Sequence, residues 1–337
     1  MKKVLITGSA GFIGFHLAQL LMREGFFVVG YDGMNDYYDV ALKQRRHAIL
    51  KEHNAFDGNE AMLEDMDALQ AVCEKHSPEI IVHLAGQAGV RYSLENPRAY
   101  IDSNVVGTFN VMECARACAV DHLLIASTSS AYGANTKMPF QEIDKSATPL
   151  TIYAATKLAA EAMGHANSHL WKIPTTLFRF FTVYGPWGRP DMAYFKFTKS
   201  IFEGTPIDIY NHGEMQRDFT YVEDLVQGIR LLIDTPPQEP SDPSTIPDFD
   251  TLSPVAPYRM VNIGNAQIEK LMDFIEALED AIGIKAKKNF VDMQKGDVTA
   301  TWADTQLLRH LTGFAPATNI QQGTAEFVGW YRDYYGV

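Results

Sequence analysis

The sequence predicts an α/β protein: a doubly wound parallel sheet with a smaller C-terminal α/β lobe. Three observations carry this reading. Apolar runs alternate with amphipathic helical patterns through the first two-thirds of the chain. The first run, Val4 to Ile6, opens directly into Thr7-Gly8-Ser9-Ala10-Gly11-Phe12-Ile13-Gly14, three glycines at spacings of three. After about residue 185 the alternation gives way to helices mixed with short strands.

The run 4–7 reads as a buried strand, and Ile13, Leu17, Leu20 and Leu21 mark an amphipathic helix after the glycines. A strand, tight turn and helix in that order aim backbone N–H groups and a positive helix end at an anion. The glycines let the backbone approach a pyrophosphate with no side chain between. A second strand, 27–31, ends at Asp32. A carboxylate at that distance bonds the adenosine ribose hydroxyls and repels a 2′-phosphate, so this Rossmann arrangement takes NAD in preference to NADP. Further strands fall at 80–84, 123–127 and 175–180, with helices at 100–119 and 153–170. The stretch 80–85 is apolar apart from His83, as a strand covered on both faces should be. Right-handed crossovers then put ligands at the carboxyl ends of the strands.

Later elements are helices at 194–203 and 222–233 and strands at 207–210 and 260–263. The stretch 236–257 holds seven prolines and reads as an ordered excursion or a disordered loop. Residues 1–185 are expected to form the nucleotide domain, with a strand and helix returning from about 210–235. Residues 186–337 are expected to form mainly the substrate lobe.

A net charge of −12 over 337 residues excludes nucleic acid and anionic membrane surfaces as partners, because both require basic surface. An anionic substrate would need a few placed arginines against that background. No apolar run approaches a membrane span, and a strand beginning by residue 4 leaves no room for a signal peptide. Three cysteines, Cys73, Cys114 and Cys118, suggest a reduced, cytoplasmic protein. Cys114 and Cys118 lie one helical turn apart and read as core thiols; no metal site is expected.

Two stretches carry chemistry. Tyr153 and Lys157 lie four residues apart and so share one helix face. A tyrosine phenol is a poor base near neutrality. An ammonium one turn away, with a positive nicotinamide, would favour the phenolate, and Lys157 can also bond the nicotinamide ribose. The strand before that helix ends in Ser127-Thr128-Ser129-Ser130-Ala131-Tyr132-Gly133. Consecutive hydroxyls at a strand's carboxyl end are costly to bury unless they bond something. Any of Thr128, Ser129 or Ser130 could bond a substrate hydroxyl and relay its proton to Tyr153.

The set TGSAGFIG, HLAGQAGVRYS, NVVGTFNV, STSSAYG and YAATK resembles the extended short-chain dehydrogenase/reductase family, whose members bind NAD and act on nucleotide sugars. The resemblance runs from Lys3 to about Asp304. Four further stretches resemble the UDP-glucuronate 4-epimerase subfamily: residues 35–40, Arg91-Tyr92-Ser93, residues 181–192, and Met293-Gln294-Lys295-Gly296-Asp297-Val298. The resemblance implies that Gly8, Gly11 and Gly14 cradle the NAD pyrophosphate, with amides from Phe12 and Ile13, and that Asp32 holds the ribose. Ala85, Gly86 and Gln87 would line the dinucleotide, with Asn104 and Ser127 nearby. Thr128, Tyr153 and Lys157 would form the catalytic set, and position favours Thr128 over Ser129 or Ser130. Arg217 and Asp297 would hold the UDP part, with Lys196 a further phosphate candidate. Thr182 and Arg189 would grip a carboxylate, and Arg91 would serve the substrate or a dimer contact. A homodimer through two helices of the nucleotide domain is implied.

The chain departs from the family pattern at several points. Met62 stands where an adenine-bonding Asp is usual, leaving Asp65 as the candidate. Gly86 makes HLAGQ of the usual HLAAQ. Thr182 and Gln294 stand where glucose-type epimerases have Asn and Arg.

The expected reaction is C4 epimerisation of a UDP-uronic acid, UDP-glucuronate to UDP-galacturonate, through a 4-keto sugar. Such a ketone makes the C5 carboxylate a β-keto acid, prone to lose CO2 unless it is held out of alignment. A planar bidentate arginine does this better than lysine, which points to Arg189. The alternatives are a UDP-glucuronate decarboxylase, a UDP-glucose 4-epimerase and, remotely, a non-catalytic NAD-sensing module. A 4,6-dehydratase is disfavoured by Ser129-Ser130, where that chemistry has Asp-Glu.

Overall fold

The computed structural model describes residues 1–294 and 297–337. Lys295 and Gly296, in the middle of the 293–298 motif, lie outside the described residues. Seven strands form the central sheet: β1 (Lys3–Thr7), β2 (Phe27–Asp32), β3 (Phe56–Glu60), β4 (Ile80–His83), β5 (His122–Thr128), β6 (Thr175–Phe180) and β7 (Tyr258–Ile263). Their spatial order is β7-β6-β5-β4-β1-β2-β3, and every pairing is parallel. The chain runs outward from β1 in one direction and then resumes at β4 on its other side. That reversal opens a crevice over the carboxyl ends of β1 and β4, where ligands of such sheets bind.

The apolar runs became the central strands as their patterning required. All residues of β4, β5 and β6 are buried, as in a sheet covered on both faces. His83 is accommodated because its ring nitrogens meet the hydroxyls of Thr7 (2.7 Å) and Thr108 (3.0 Å). The strand β3 was not readable from its own residues and was implied only by the family resemblance. Its sequence, FDGNE, lacks an apolar run because an edge position leaves it half exposed. The strand expected at 260–263 is β7, and it belongs to the edge of the main sheet rather than to the later lobe. The helix Val222–Ile233 packs Leu225, Val226 and Ile229 into the core shared with Phe15 and Leu17.

Helix α1 (Phe12–Arg23) follows β1, α2 (Val40–Lys51) follows β2 and α3 (Met66–His76) follows β3. The helix expected at 100–119 is composite. A single turn, Pro97–Tyr100, passes through a π-helical stretch, Ile101–Gly107, into α4 (Thr108–Cys118). Such widened turns recur at functional sites, and this one carries Asn104. Its last residue, Gly107, packs so closely on Leu63 that a Cβ would stand 2.6 Å from Leu63 Cβ. Cys73, Cys114 and Cys118 gather as free thiols where α3 faces α4. Helix α5 (Ile152–Trp171) begins at Thr151, whose hydroxyl accepts from the Ala154 amide.

The proline-rich stretch is the ordered alternative. Arg259 grips Asp250 with two bonds (2.9 and 3.0 Å), and His165 bonds the Ser253 hydroxyl. The remaining core, in the C-terminal part of the chain, is aromatic. Phe219 stacks on Phe274 at 4.0 Å, and Phe195 and Phe327 pack from helices Ala193–Glu203 and Ile320–Tyr335.

Candidate active site

One cleft runs along the carboxyl edge of the sheet from the β2 end, past the glycine turn, to the start of α5. The glycines are there for contact reasons. Gly8 has φ +76°, and a Cβ on it would stand 2.8 Å from the Ala85 nitrogen. A Cβ on Gly14 would stand 2.1 Å from the Gly8 carbonyl oxygen. Gly11 is the N-cap of α1 and offers no side chain to its amides, so the first N–H groups, those of Phe12 and Ile13 among them, face the cleft uncapped. Asp32 is pinned by two amides, Ala10 to Oδ2 and Met34 to Oδ1, both at 3.0 Å. Its carboxylate lines the cleft with lone pairs left for hydroxyl donors.

Beyond Asp32 the wall is Met62, Leu63 and Glu64. Asp65, the expected adenine contact, is spent as the N-cap of α3, accepting from the Ala68 amide at 3.0 Å. Glu64 was not foreseen. Its Oε2 is buried with no partner among the described residues, an acceptor open to a ligand amino group. The only sequence signal for it is an acidic residue four positions beyond the end of the third strand. Ala85, Gly86 and Gln87 complete the wall across from the glycine turn. Asn104 holds that loop from behind: Oδ1 accepts from the Gln87 amide, and Nδ2 donates to the Gln87 carbonyl (3.0 Å) and to Thr156 (3.1 Å). The close glycine turn, the uncapped amides and the pinned carboxylate fit a dinucleotide pyrophosphate and ribose.

At the other end stand Ser127, Thr128 and Tyr153. Thr128 caps the short turn Ser129–Tyr132 by accepting from the Ser130 amide, and it lines the cleft together with Tyr153. Ser129 and Ser130 belong to the turn and do not line the cleft. Lys157 is buried, donates to the Ala126 carbonyl at 3.0 Å, and would stand 3.3 Å from a Cβ on Gly86. Burial lowers its pKa to about 8 against an upward pull from Glu161. Burial also raises the Tyr153 phenol above its ordinary value, while the neighbouring Thr128 hydroxyl and the charge of Arg189 draw it down. In the chain alone, therefore, burial and not Lys157 dominates the phenol.

Beneath these residues lies a polar layer that sequence reasoning missed. Ser127 donates to Glu161 Oε1 at 2.5 Å. Glu161 also receives Nε and Nη2 of Arg179, whose guanidinium stacks 4.4 Å from the Tyr132 ring centre. A charged residue inside the apolar run 175–180 and an acid two turns beyond Tyr153 were the available signals.

The expected substrate residues divide. Arg189 lines the cleft with Tyr37 and Tyr38. Arg217 is half-buried, its guanidinium donating to the carbonyls of Gln216, Val298 and Thr299. Burial lowers its pKa, with Asp297 acting against that. Asp297 pairs with Arg91 at 3.1 Å, and Arg91 lies over the Tyr210 ring, so Arg91, Arg217 and Asp297 form one group. Lys196 is exposed on its helix and joins neither group. Thr182 does not line the cleft, although its neighbours Phe181 and Val183 do; its amide donates to the Asp218 carbonyl.

The family model described as NAD dependent epimerase/dehydratase family matches residues 4–246. The chain belongs to this family. It is 56% identical to a probable UDP-glucuronate 4-epimerase of Rhizobium meliloti (strain 1021), over 99% of this chain and 98% of that one. It is 43% identical to UDP-glucuronate 4-epimerase 4 of Arabidopsis thaliana, over 98% of this chain and 76% of the relative. Its fold superposes on the crystal structure of the UDP-glucuronic acid 4-epimerase of Bacillus cereus, in complex with UDP-glucuronic acid and NAD. The TM-score is 0.87 with 29% identity, covering 99% of this chain and 100% of the other. The family's cofactor, NAD, matches the glycine turn and Asp32 derived from the residues.

Proposed function

We propose that this chain is a UDP-glucuronate 4-epimerase, interconverting UDP-glucuronate and UDP-galacturonate through a 4-keto sugar. The observation that carries the reading is one cleft lined by the glycine turn, Asp32, Thr128, Tyr153 and Arg189 together. A uronate needs that arrangement: its carboxylate is carried by C5, the carbon next to C4, so the base and a carboxylate-binding cation must lie near one another.

Gly8, Gly11, Gly14, Asp32 and the 85–87 loop would hold NAD, with Lys157 at its nicotinamide ribose. When bound, NAD supplies a hydride acceptor that returns the hydride within the same turnover. Tyr153 takes the C4 hydroxyl proton, with the Thr128 hydroxyl fixing the direction of that bond. The nicotinamide charge and Arg189 both favour the phenolate that burial disfavours. With NAD bound to accept and return the hydride, C4 would pass through a ketone, the sugar would turn, and Tyr153 would give the proton back. Arg217 and Asp297 anchor the UDP part through the turn. Arg189 holds the carboxylate so that the C5–C6 bond stays out of line with the ketone π system.

Two further readings belong here. Ile101, Val106, Phe109 and Ile152 are exposed apolar residues on the neighbouring helical stretch 101–118 and α5, which supports a homodimer through those helices. Three free cysteines support a cytoplasmic site. Among the described residues no helix is long and apolar enough to cross a membrane.

The test is incubation of the purified chain with UDP-glucuronate and chromatography of the sugar nucleotides. UDP-galacturonate is expected. A UDP-pentose as the main product identifies a decarboxylase instead, and no conversion overturns the proposal.

A further inference from the structure

Arg189 does not face the cleft unaccompanied. Its Nε donates to Oδ1 of Asp191 at 3.0 Å and its Nη2 to Oδ2. The Tyr37 hydroxyl donates to the same Oδ2 at 3.2 Å. Tyr37 belongs to the 35–40 stretch, and it is wedged: its ring lies 4.8 Å from that of Tyr92, and a Cβ on Gly89 would stand 2.3 Å from its hydroxyl. Burial pushes the Asp191 carboxyl up, but the charge and hydrogen bonds of Arg189, the Tyr37 hydroxyl and a backbone amide together hold it below its ordinary value.

A guanidinium has two edges that can fork onto a carboxylate, Nε with one Nη, and the two Nη groups together. Asp191 takes the first. Nη1 bonds no group among the described residues, and the side chain keeps 22% of its surface open, on the cleft side. The edge left for a ligand is therefore the Nη pair, and its direction is set by Asp191. We propose that Asp191, steadied by Tyr37, is a positioning and specificity-determining residue that fixes the plane of Arg189 so its Nη edge meets the C5 carboxylate of a uronate. This rests on the function proposed above and adds to it the residue that controls the reaction's main hazard.

Asp191 works against affinity, because its charge already offsets Arg189 and repels a second carboxylate. What it contributes is direction. A guanidinium free to rotate would still attract the uronate but would let the C5–C6 bond swing into line with the C4 ketone. That bond then breaks, CO2 leaves, and its electron pair enters the C4 carbonyl as an enolate. C5 takes a proton from water, and return of the hydride to C4 gives a UDP-pentose. The sum is UDP-glucuronate plus a proton giving UDP-pentose plus CO2, with no net change in NAD.

The experiment compares wild type, Asp191→Asn and Tyr37→Phe on UDP-glucuronate labelled with carbon-13 at C6. It measures labelled CO2, UDP-pentose and UDP-galacturonate, with bound NAD and melting temperature as controls for folding. Asn keeps the size but accepts through one oxygen only. In Asp191→Asn the ratio of UDP-pentose to UDP-galacturonate should rise about tenfold or more, with KM unchanged or lower. Tyr37→Phe should move the same ratio in the same direction by less. Unchanged ratios in both folded variants overturn the role of Asp191 and leave the epimerase reading standing. If Asp191→Asn does not fold, an unchanged ratio in Tyr37→Phe is sufficient to overturn it. A wild type that does not epimerise UDP-glucuronate removes the reading itself, and this inference with it.

Discussion

Glu161 and Arg179 form a two-bond ion pair, 2.9 and 2.7 Å, with both side chains nearly sealed from solvent. Glu161 sits one turn beyond Lys157 on α5 and opposes the fall that burial imposes on the lysine. The pair thus connects the sheet interior to the catalytic helix.

Glu161→Gln should act in two separable ways. Leaving Arg179 buried with half its partner should cost about 3–5 kcal/mol of stability, read as a lower denaturant midpoint. Removing the upward pull on Lys157, whose pKa burial already lowers to about 8, should move the alkaline limb of activity to lower pH. An unchanged pH–rate profile in a folded variant would show that Glu161 acts on stability alone.

Five buried histidines, His16, His47, His76, His83 and His122, are held below their ordinary pKa by burial and make the fold sensitive to acid, three of them strongly. Burial lowers His83 to about 3 and both His16 and His122 to about 4. Each is neutral in the folded chain and titrates near 6.5 once unfolded. Their contribution is present above pH 6.5 and is lost as pH falls toward 4. At pH 5 each withheld proton is worth about 2 kcal/mol. Denaturant midpoints should therefore drop steeply between pH 7 and pH 5. His83→Gln should reduce that dependence by about 2 kcal/mol between pH 7 and pH 5, and coincident midpoints at the two pH values would refute the assignment.

Gly14→Ala should fold poorly around nucleotide rather than poorly altogether. The added carbon meets a backbone carbonyl, which cannot rotate away. The glycine turn must open, so NAD affinity should fall roughly tenfold or more, about 1.4 kcal/mol. NAD retained through purification and the thermal shift on adding NAD both read this. Undiminished NAD would mean that the turn is looser than its contacts imply.

The central sheet and the Tyr153–Lys157 face were legible because both rest on short-range periodicity, alternating apolar runs in one case and a spacing of four in the other. The edge strand Phe56–Glu60 was not, because an edge needs no apolar run. Asp65 was misread for a related reason: an acid beside a strand end can cap the next helix as readily as it can meet a ligand, and only the backbone decides. The positions of Glu161, Arg179 and Asp191 were invisible because each is defined by a partner on another element or by a loop conformation. Arg189 was singled out as a cation in the right loop, but its direction depends on Asp191 and Tyr37, separated from each other by most of the nucleotide domain.

Arg46 supplies the last prediction. It is fully buried on α2 and joins three loops with four bonds. Nη1 donates to the Ala10 carbonyl (3.0 Å) and the Tyr38 hydroxyl (2.9 Å), and Nη2 to the carbonyls of Trp187 (2.5 Å) and Gly188 (3.2 Å). The glycine turn, the tyrosine stretch and the loop leading into Arg189 are thereby tied to one planar group. Lysine keeps the charge but cannot span both edges. Arg46→Lys should cost about 2–4 kcal/mol through the carbonyls left without donors. It should also raise KM for UDP-glucuronate about tenfold, as the Arg189 loop loses its tie to the nucleotide turn. Paired measurements of NAD content and KM test the coupling. If NAD binding weakens while KM holds, the loops are anchored independently and Arg46 serves the nucleotide side only.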